Sequence, residues 1–416
     1  MCHNAWPWAQ QLSWWMCQLL FGHLNGLLME LLPLSYQDGS LIWLSLQLSG
    51  ADVYLCFDQY HDYSTKSITR SARATNSRVH HLTLTTPLPA RDTVLKNYTN
   101  KARLNALICE QVLSDNYFLR NSTQNHKLVV TEDKSEPTQV SEEQKLPVWI
   151  FLQRMKRPID IFLTQQAIHI AKEDSESTVS VVSDDIDVFA LLLYFYWSEK
   201  LQPTMTMQSP IKGRSCIDIK ETSRIHSDIV RSVLALHALT GCDSVAATYG
   251  IGKTKAIKVS RQGNALDQLG QSTADLTDVV KQSTDFMAAC YGCKAPCSSM
   301  TECRQQLWAQ KTGQSTAAPK LCGLPPTTEA FEQNVYRPHF RLPSGTVPWV
   351  EIHLLSMLWI TDGKQTKQTS ASSHEIWQKE YPMLLNRSWS WSDVVVFQSD
   401  LIKGPPVLQG ASTSLH

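Results

Sequence analysis

The sequence predicts an α/β protein: a mostly parallel sheet flanked by helices, a helix-two-turn-helix extension, and irregular regions at both ends. Three stretches carry that expectation. Ser177–Val182 (STVSVV) is β-branched and reads as a buried strand, and it runs through Ser183-Asp-Asp-Ile-Asp187 into the apolar run Val188–Trp197, a helix. Asp52-Val-Tyr-Leu-Cys-Phe57 reads as a second strand. Gly250-Ile-Gly252-Lys-Thr-Lys-Ala256 reads as a glycine turn opening a helix.

In chain order, residues 1–50 are rich in Leu and Trp, poor in charge and without a clean period. The core region begins at Ala51 and extends to about residue 285, with residues 121–147 read as a polar, mobile linker apart from Leu128-Val-Val. From residue 286 onward Cys and Pro become frequent, and residues 286–416 read as a poorly defined C-terminal region. Lys plus Arg and Asp plus Glu both number 38 in a chain of 416 residues, so no global basic surplus advertises nucleic acid. The surplus is local: between His61 and Arg103 there are eight Lys or Arg (66, 70, 73, 78, 91, 96, 101, 103) against Asp62 and Asp92. That run suits either a solvated helix face or a phosphate-binding one.

Eleven cysteines without an even framework suit free thiols in a reducing, intracellular compartment. No uncharged apolar run reaches the ~18 residues a spanning helix needs, so no membrane partner is expected. The Asn97 and Asn121 sequons carry no weight without a secretory context. Cys290, Cys293, Cys297 and Cys303 (C-x2-C-x3-C-x5-C) can be read as a zinc site, although the spacings are cramped and the usual second pair is absent. The Trp14-Trp15 and Trp389/Trp391 groups suit core burial as well as stacking surfaces.

Two acidic features suggest chemistry. Asp185 and Asp187 at a strand end would aim two carboxylates from one short segment, as hard divalent cations require, while Asp184 or Asp185 could instead cap the following helix. In Leu239-Thr-Gly-Cys-Asp243, seven residues before Gly250, an aspartate precedes a turn whose glycines let backbone approach a phosphate. The other reading of that stretch is a Gly-rich turn beside a capping Asp.

These motifs together resemble the PIN-like nucleases of the flap-endonuclease (XPG) type. The L-x-G-C-D…G-I-G-x-x-x-A pattern resembles their helix-two-turn-helix (236–260), and S-D-D-I-D resembles their T-E-D-M-D segment. Phe57-Asp58 followed by Lys66 and Arg70 or Arg73 resembles their F-D strand and phosphate-clamping helix. Over about residues 51–335 the chain is more similar still to PIN-like proteins of fish and invertebrates linked to mobile elements, in phrases such as VVSDDIDVFALLLYFY and HALTGCDS. The resemblance implies an Mg2+- or Mn2+-dependent, structure-specific nuclease acting on nucleic acid, with DNA the expected partner and the nucleus the expected location. It implies metal ligands at Asp58, Asp160, Asp185, Asp187 and Asp243, catalytic roles for Lys66 and Arg73, and nucleic-acid contacts at Arg70, Gly250, Gly252, Lys253 and Lys255. In the position of an E-E-A-D-like segment this chain reads Arg157-Pro158-Ile159-Asp160, so Asp160 is the one carboxylate kept. The family's N-terminal D-G strand has no convincing match, since Asp38-Gly39 lies too close to Asp58. A nucleic-acid-binding module that has lost catalysis is the alternative these departures suggest.

Overall fold

The computed structural model describes residues 50–57, 78–83, 91–114, 126–131, 138–140, 145–147, 159–209, 214–242, 245–293, 296–312, 319–340 and 394–400. Asp58, Lys66, Arg70, Arg73, Arg157, Pro158 and Asp243 therefore lie outside the described residues, as do the two Trp groups.

Strand β1 (Asp52–Phe57) is buried along nearly its whole length, as expected of a strand covered on both faces. Helices α1 (Arg91–Leu95) and α2 (Tyr98–Ser114) follow, the second started by Asn97, whose Oδ1 accepts from the amides of Thr99 and Asn100. The chain returns to the sheet as β2 (Leu128–Thr131), parallel to β1 and wholly buried. The short β3 (Thr138–Val140) and β4 (Lys145–Pro147) extend that edge antiparallel. Helix α3 (Ile159–Glu173), β5 (Thr178–Val182), helix α4 (Ile186–Ser198) and β6 (Thr204–Gln208) then form a second parallel pair with its crossover. The two-residue β7 (Ile217–Asp218) and helix α5 (Ile219–Ile225) complete that edge. Strand β8 (Val394–Asp400) lies between β1 and β5 and pairs antiparallel with both, giving the order β4-β3-β2-β1-β8-β5-β6-β7.

The protein is thus mixed α/β. The expectation of a mostly parallel sheet needs correction, because among the described residues only the β1–β2 and β5–β6 neighbours are parallel. Parallel neighbours arise where a helix carries the chain back across the sheet, and the antiparallel ones come from short edge connections and from the distant β8. Because β8 opposes both β1 and β5, those two strands run the same way. Val396 faces Leu55 on one side and Val182 on the other, so both strands end at one edge of the sheet.

After the sheet, the chain turns helical: α6 (Val233–Leu239), α7 (Lys253–Arg261), α8 (Leu276–Tyr291), α9 (Met300–Lys311) and α10 (Thr328–His339). Among the described residues, two apolar clusters result. One joins Tyr54 and Cys56 of β1 with α3, α4 and Val179 and Val181 of β5, and the other runs from Ala235 to Val335 through α6–α10. Helix α8 crosses the boundary expected at residue 285, and the region beyond it contains two further ordered helices. Their starts carry side-chain caps: Asp275 accepts from Thr277 N, Ser299 from Glu302 N and Thr327 from Ala330 N. The segment expected to be a linker, 121–147, likewise contains β2, β3 and β4.

Leu163 of α3 has no exposed surface and lies in the first cluster. Leu163→Ala should cost about 2–5 kcal/mol by removing buried contacts and leaving a cavity. A lowered urea midpoint with an unchanged slope is the measurement that checks it.

Candidate acidic site and adjoining turn

At the carboxyl end of β5 the chain is pinned before it enters α4. Ser183 is buried, its amide donates to the Gln208 carbonyl at 2.9 Å, and its Oγ accepts from Asp185 N at 3.2 Å. Asp185 is the N-cap of α4, with its Oδ1 accepting from Asp187 N at 2.8 Å. Capping is thus one of its roles, as the alternative reading of this segment allowed, and it fixes the carboxylate at the strand end. Asp187 sits in the first turn of α4, where the helix dipole favours negative charge. Its Oδ1 lies 2.7 Å from Nε2 of His237 on α6, and both side chains are mostly shielded from solvent. Asp184 is paired with Arg214, which reaches it from the segment after β6.

Helix α6 ends at Thr240, whose Oγ1 donates back to Leu236 O at 2.7 Å. Gly241 then adopts φ of +106°, and a Cβ there would stand 2.5 Å from the Ala247 Cα, so both conformation and space require glycine. Cys242 and Val245 exchange backbone hydrogen bonds of 3.0 and 3.2 Å. Lys253, the first residue of α7, donates through Nζ to His237 O at 2.9 Å and also to Gly241 O. Asn334 Nδ2 donates to Ala246 O at 3.0 Å, and Tyr291 donates to Tyr249 O at 3.3 Å. The turn is therefore held from α7, α8 and α10 at once.

Lys253, expected to meet phosphate, thus reaches inward. The carbonyls closing a helix need donors, and its ammonium supplies them for α6. Lys255 is exposed. Gly250 has φ of +73°. Gly252, the N-cap of α7, makes no side-chain cap bond, its φ of −99° and ψ of 172° suit any residue, and a Cβ there meets nothing within 4 Å. The fold itself leaves room for a side chain at Gly252.

Asp160 lies in the first turn of α3 and is 6% exposed. Among the described residues, no three of the expected carboxylates converge to within 4.8 Å of one another; the one such group of potential metal ligands is Cys293, Cys297 and Cys303. Cys290 is not a member, and burial pushes its thiol up to about 11. Burial and the neighbouring Cys293 push the Cys303 thiol upward as well. His237 and Arg214 were not singled out by the sequence reading. They reach partners fifty and thirty residues away, a separation that no local pattern encodes.

Among the described residues no helix is long and apolar enough to cross a membrane. In comparisons with known proteins, no family model, curated protein or solved structure matches this chain.

Gly241→Ala should be strongly destabilising, since it forces a left-handed residue and drives a methyl into backbone. A loss of at least about 1–3 kcal/mol is expected from the strained conformation alone. Gly252→Ala should leave the thermal midpoint close to wild type, and differential scanning calorimetry of the two variants checks the contrast.

Proposed function

We propose that this chain is a PIN-like, metal-dependent nuclease that hydrolyses nucleic-acid phosphodiesters, with DNA as substrate and Mg2+ or Mn2+ as cofactor. One observation carries the reading. The acidic end of β5 and the glycine turn before α7 are joined by the Asp187–His237 contact and by Lys253, which holds the carbonyls of His237 and Gly241. A carboxylate pair at a strand end and a phosphate-compatible helix start thus form one connected unit.

The donor chemistry fits the cofactor: Asp185 and Asp187 offer hard carboxylate oxygens from positions two residues apart, with Asp160, Asp58 and Asp243 as further proposed ligands. Asp58 directly follows Phe57, the last residue of β1, and β1 and β5 end at the same sheet edge. When bound, the ion supplies activation of water and stabilisation of developing charge. The protein groups do the rest. The cap bond of Asp185 fixes its carboxylate, and His237 orients that of Asp187. Lys66 and Arg73 clamp the scissile phosphate, with Arg70 beside them. Gly250 and Gly252 let duplex backbone approach the start of α7, where the helix dipole favours phosphate. Lys255 adds screened attraction there.

The pairing of Asp184 with Arg214 and of Asp187 with His237 favours a second reading, a binding module without catalysis, because charges already neutralised internally need no cation. Asp185→Asn separates the two. Asn caps a helix as well as Asp does, so the fold is retained while the carboxylate is lost. The nuclease reading expects labelled flap or hairpin DNA to be cut in Mg2+ or Mn2+ by wild type and not by Asp185→Asn. The same variant should also lose Mg2+-linked thermal stabilisation. An uncut substrate that still binds, with affinity falling as salt rises, would establish the binding module instead.

A further inference from the structure

We propose that Cys293, Cys297 and Cys303 form a thiolate site for a soft divalent ion, Zn2+ by chemistry, with a fourth position left to an exchangeable ligand. The three Sγ atoms lie within 4.8 Å of one another. Cys293 Sγ and Cys303 Sγ are 2.6 Å apart, both as free thiols, so the two sulfurs already share one small space. Cys297 Sγ lies within the same 4.8 Å group, and a third sulfur at that point is what a metal uses and a disulfide does not. Zn–S bonds of about 2.3 Å in tetrahedral array set sulfurs about 3.8 Å apart, so Cys293 and Cys303, now 2.6 Å apart, must part by roughly 1.2 Å through side-chain rotation to seat an ion.

The scaffold is built before any ion arrives. Cys293 immediately follows Gly292, the left-handed C-terminal residue of α8, and its amide donates to Ala288 O at 3.1 Å. Cys303 lies near the start of α9. Between them Ser298 is held by Glu302, whose Oε2 accepts from both Ser298 N and Ser298 Oγ at 2.7 Å. One ligand thus comes from a helix end, one from the loop and one from a helix start. Cys297 and Cys303 are buried and Cys293 is half-buried, which gives an ion one route in. Among the described residues no further His, Cys, Asp or Glu joins the group, so the fourth ligand is a water or a small exchangeable donor. This distinguishes it from a closed four-ligand structural site.

The consequence is a staple between α8 and α9 inside the second apolar cluster. Helix α8 also packs against α7 and donates Tyr291 to the turn at Tyr249, so metal loading stiffens the layer that carries the glycine turn. This role does not depend on the acidic site.

The test uses the full chain, purified in a non-thiol reductant and stripped of metal, with Co2+ as probe. One equivalent should produce thiolate-to-cobalt charge transfer and the visible bands of tetrahedral Co2+, and one equivalent of Zn2+ should abolish both while raising the thermal midpoint. Mg2+ should do neither. Cys297→Ser and Cys293→Ser should each lose the signal, and Cys322→Ser should retain it. Cys293 is the half-exposed member, so its variant serves should Cys297→Ser fail to fold. A signal that survives Cys293→Ser, or no signal in wild type, overturns the proposal. So does mass spectrometry of the alkylated, unreduced chain showing a Cys293–Cys303 disulfide as the stable state.

Discussion

The register of β5 is the constraint on which the candidate site rests. Val179 and Val181 are fully buried against α3 and α4, while Thr178, Ser180 and Val182 are only partly covered. Because side chains alternate along a strand, a slip of one residue would turn both valines outward. At about 1.5–3 kcal/mol for each buried aliphatic side chain, that slip is heavily disfavoured. Fixing the register fixes where the strand stops, and Ser183, bonded to Gln208 of β6, marks the point. Asp185 and Asp187 are therefore positioned by apolar packing rather than by their own contacts, and their hydrogen bonds only refine what the valines impose.

The second level of order is the joint between the two apolar clusters. Helix α4 belongs to the sheet cluster, and α6 contributes Ala235, Leu236 and Leu239 to the helical one. Asp187 and His237 meet across that joint, and Lys253 reaches back from α7 to the α6 carbonyls. Partly buried contacts involving a charged partner are worth about 1.5–3 kcal/mol, less than the packing around them. Their contribution is geometric, since a directional contact at 2.7 Å sets how the strand end faces the turn.

What was legible in the sequence was local. The strand Asp52–Phe57 is found with the boundaries its composition predicts, and the β5–acidic turn–α4 succession is found within two residues of its expected limits, because each depends on neighbours a few positions apart. Strand β8 was not legible. Val394-Val-Val-Phe is a short apolar run with no period to assign it, and its partners are more than 200 residues away. Helices α8 to α10 were missed although their capping residues, Asp275, Ser299 and Thr327, stand in plain view, because the cysteines and prolines between them break the pattern. The cysteine cluster was half legible. Spacing suggested four candidates, but helix geometry sends Cys290 elsewhere and gathers the other three.

The turn between α6 and α7 shows why rigidity and openness are not in conflict here. Its inner carbonyls, those of Gly241, Ala246 and Tyr249, are taken by Lys253, Asn334 and Tyr291 from three different helices. Gly241 has no alternative, since the Ala247 backbone fills the space a side chain would need. The outer side is different: Gly252 faces open space with a backbone that any residue could adopt, and among the described residues no side chain caps the start of α7. A turn ordered in this way in the free protein loses little conformational freedom when something binds to it, so weak backbone contacts retain more of their energy. The internal use of Lys253 follows the same logic. A lysine spent on holding the turn contributes no direct charge to a ligand, but it keeps the amides of α7 aligned, and aligned amides are what a phosphate group needs.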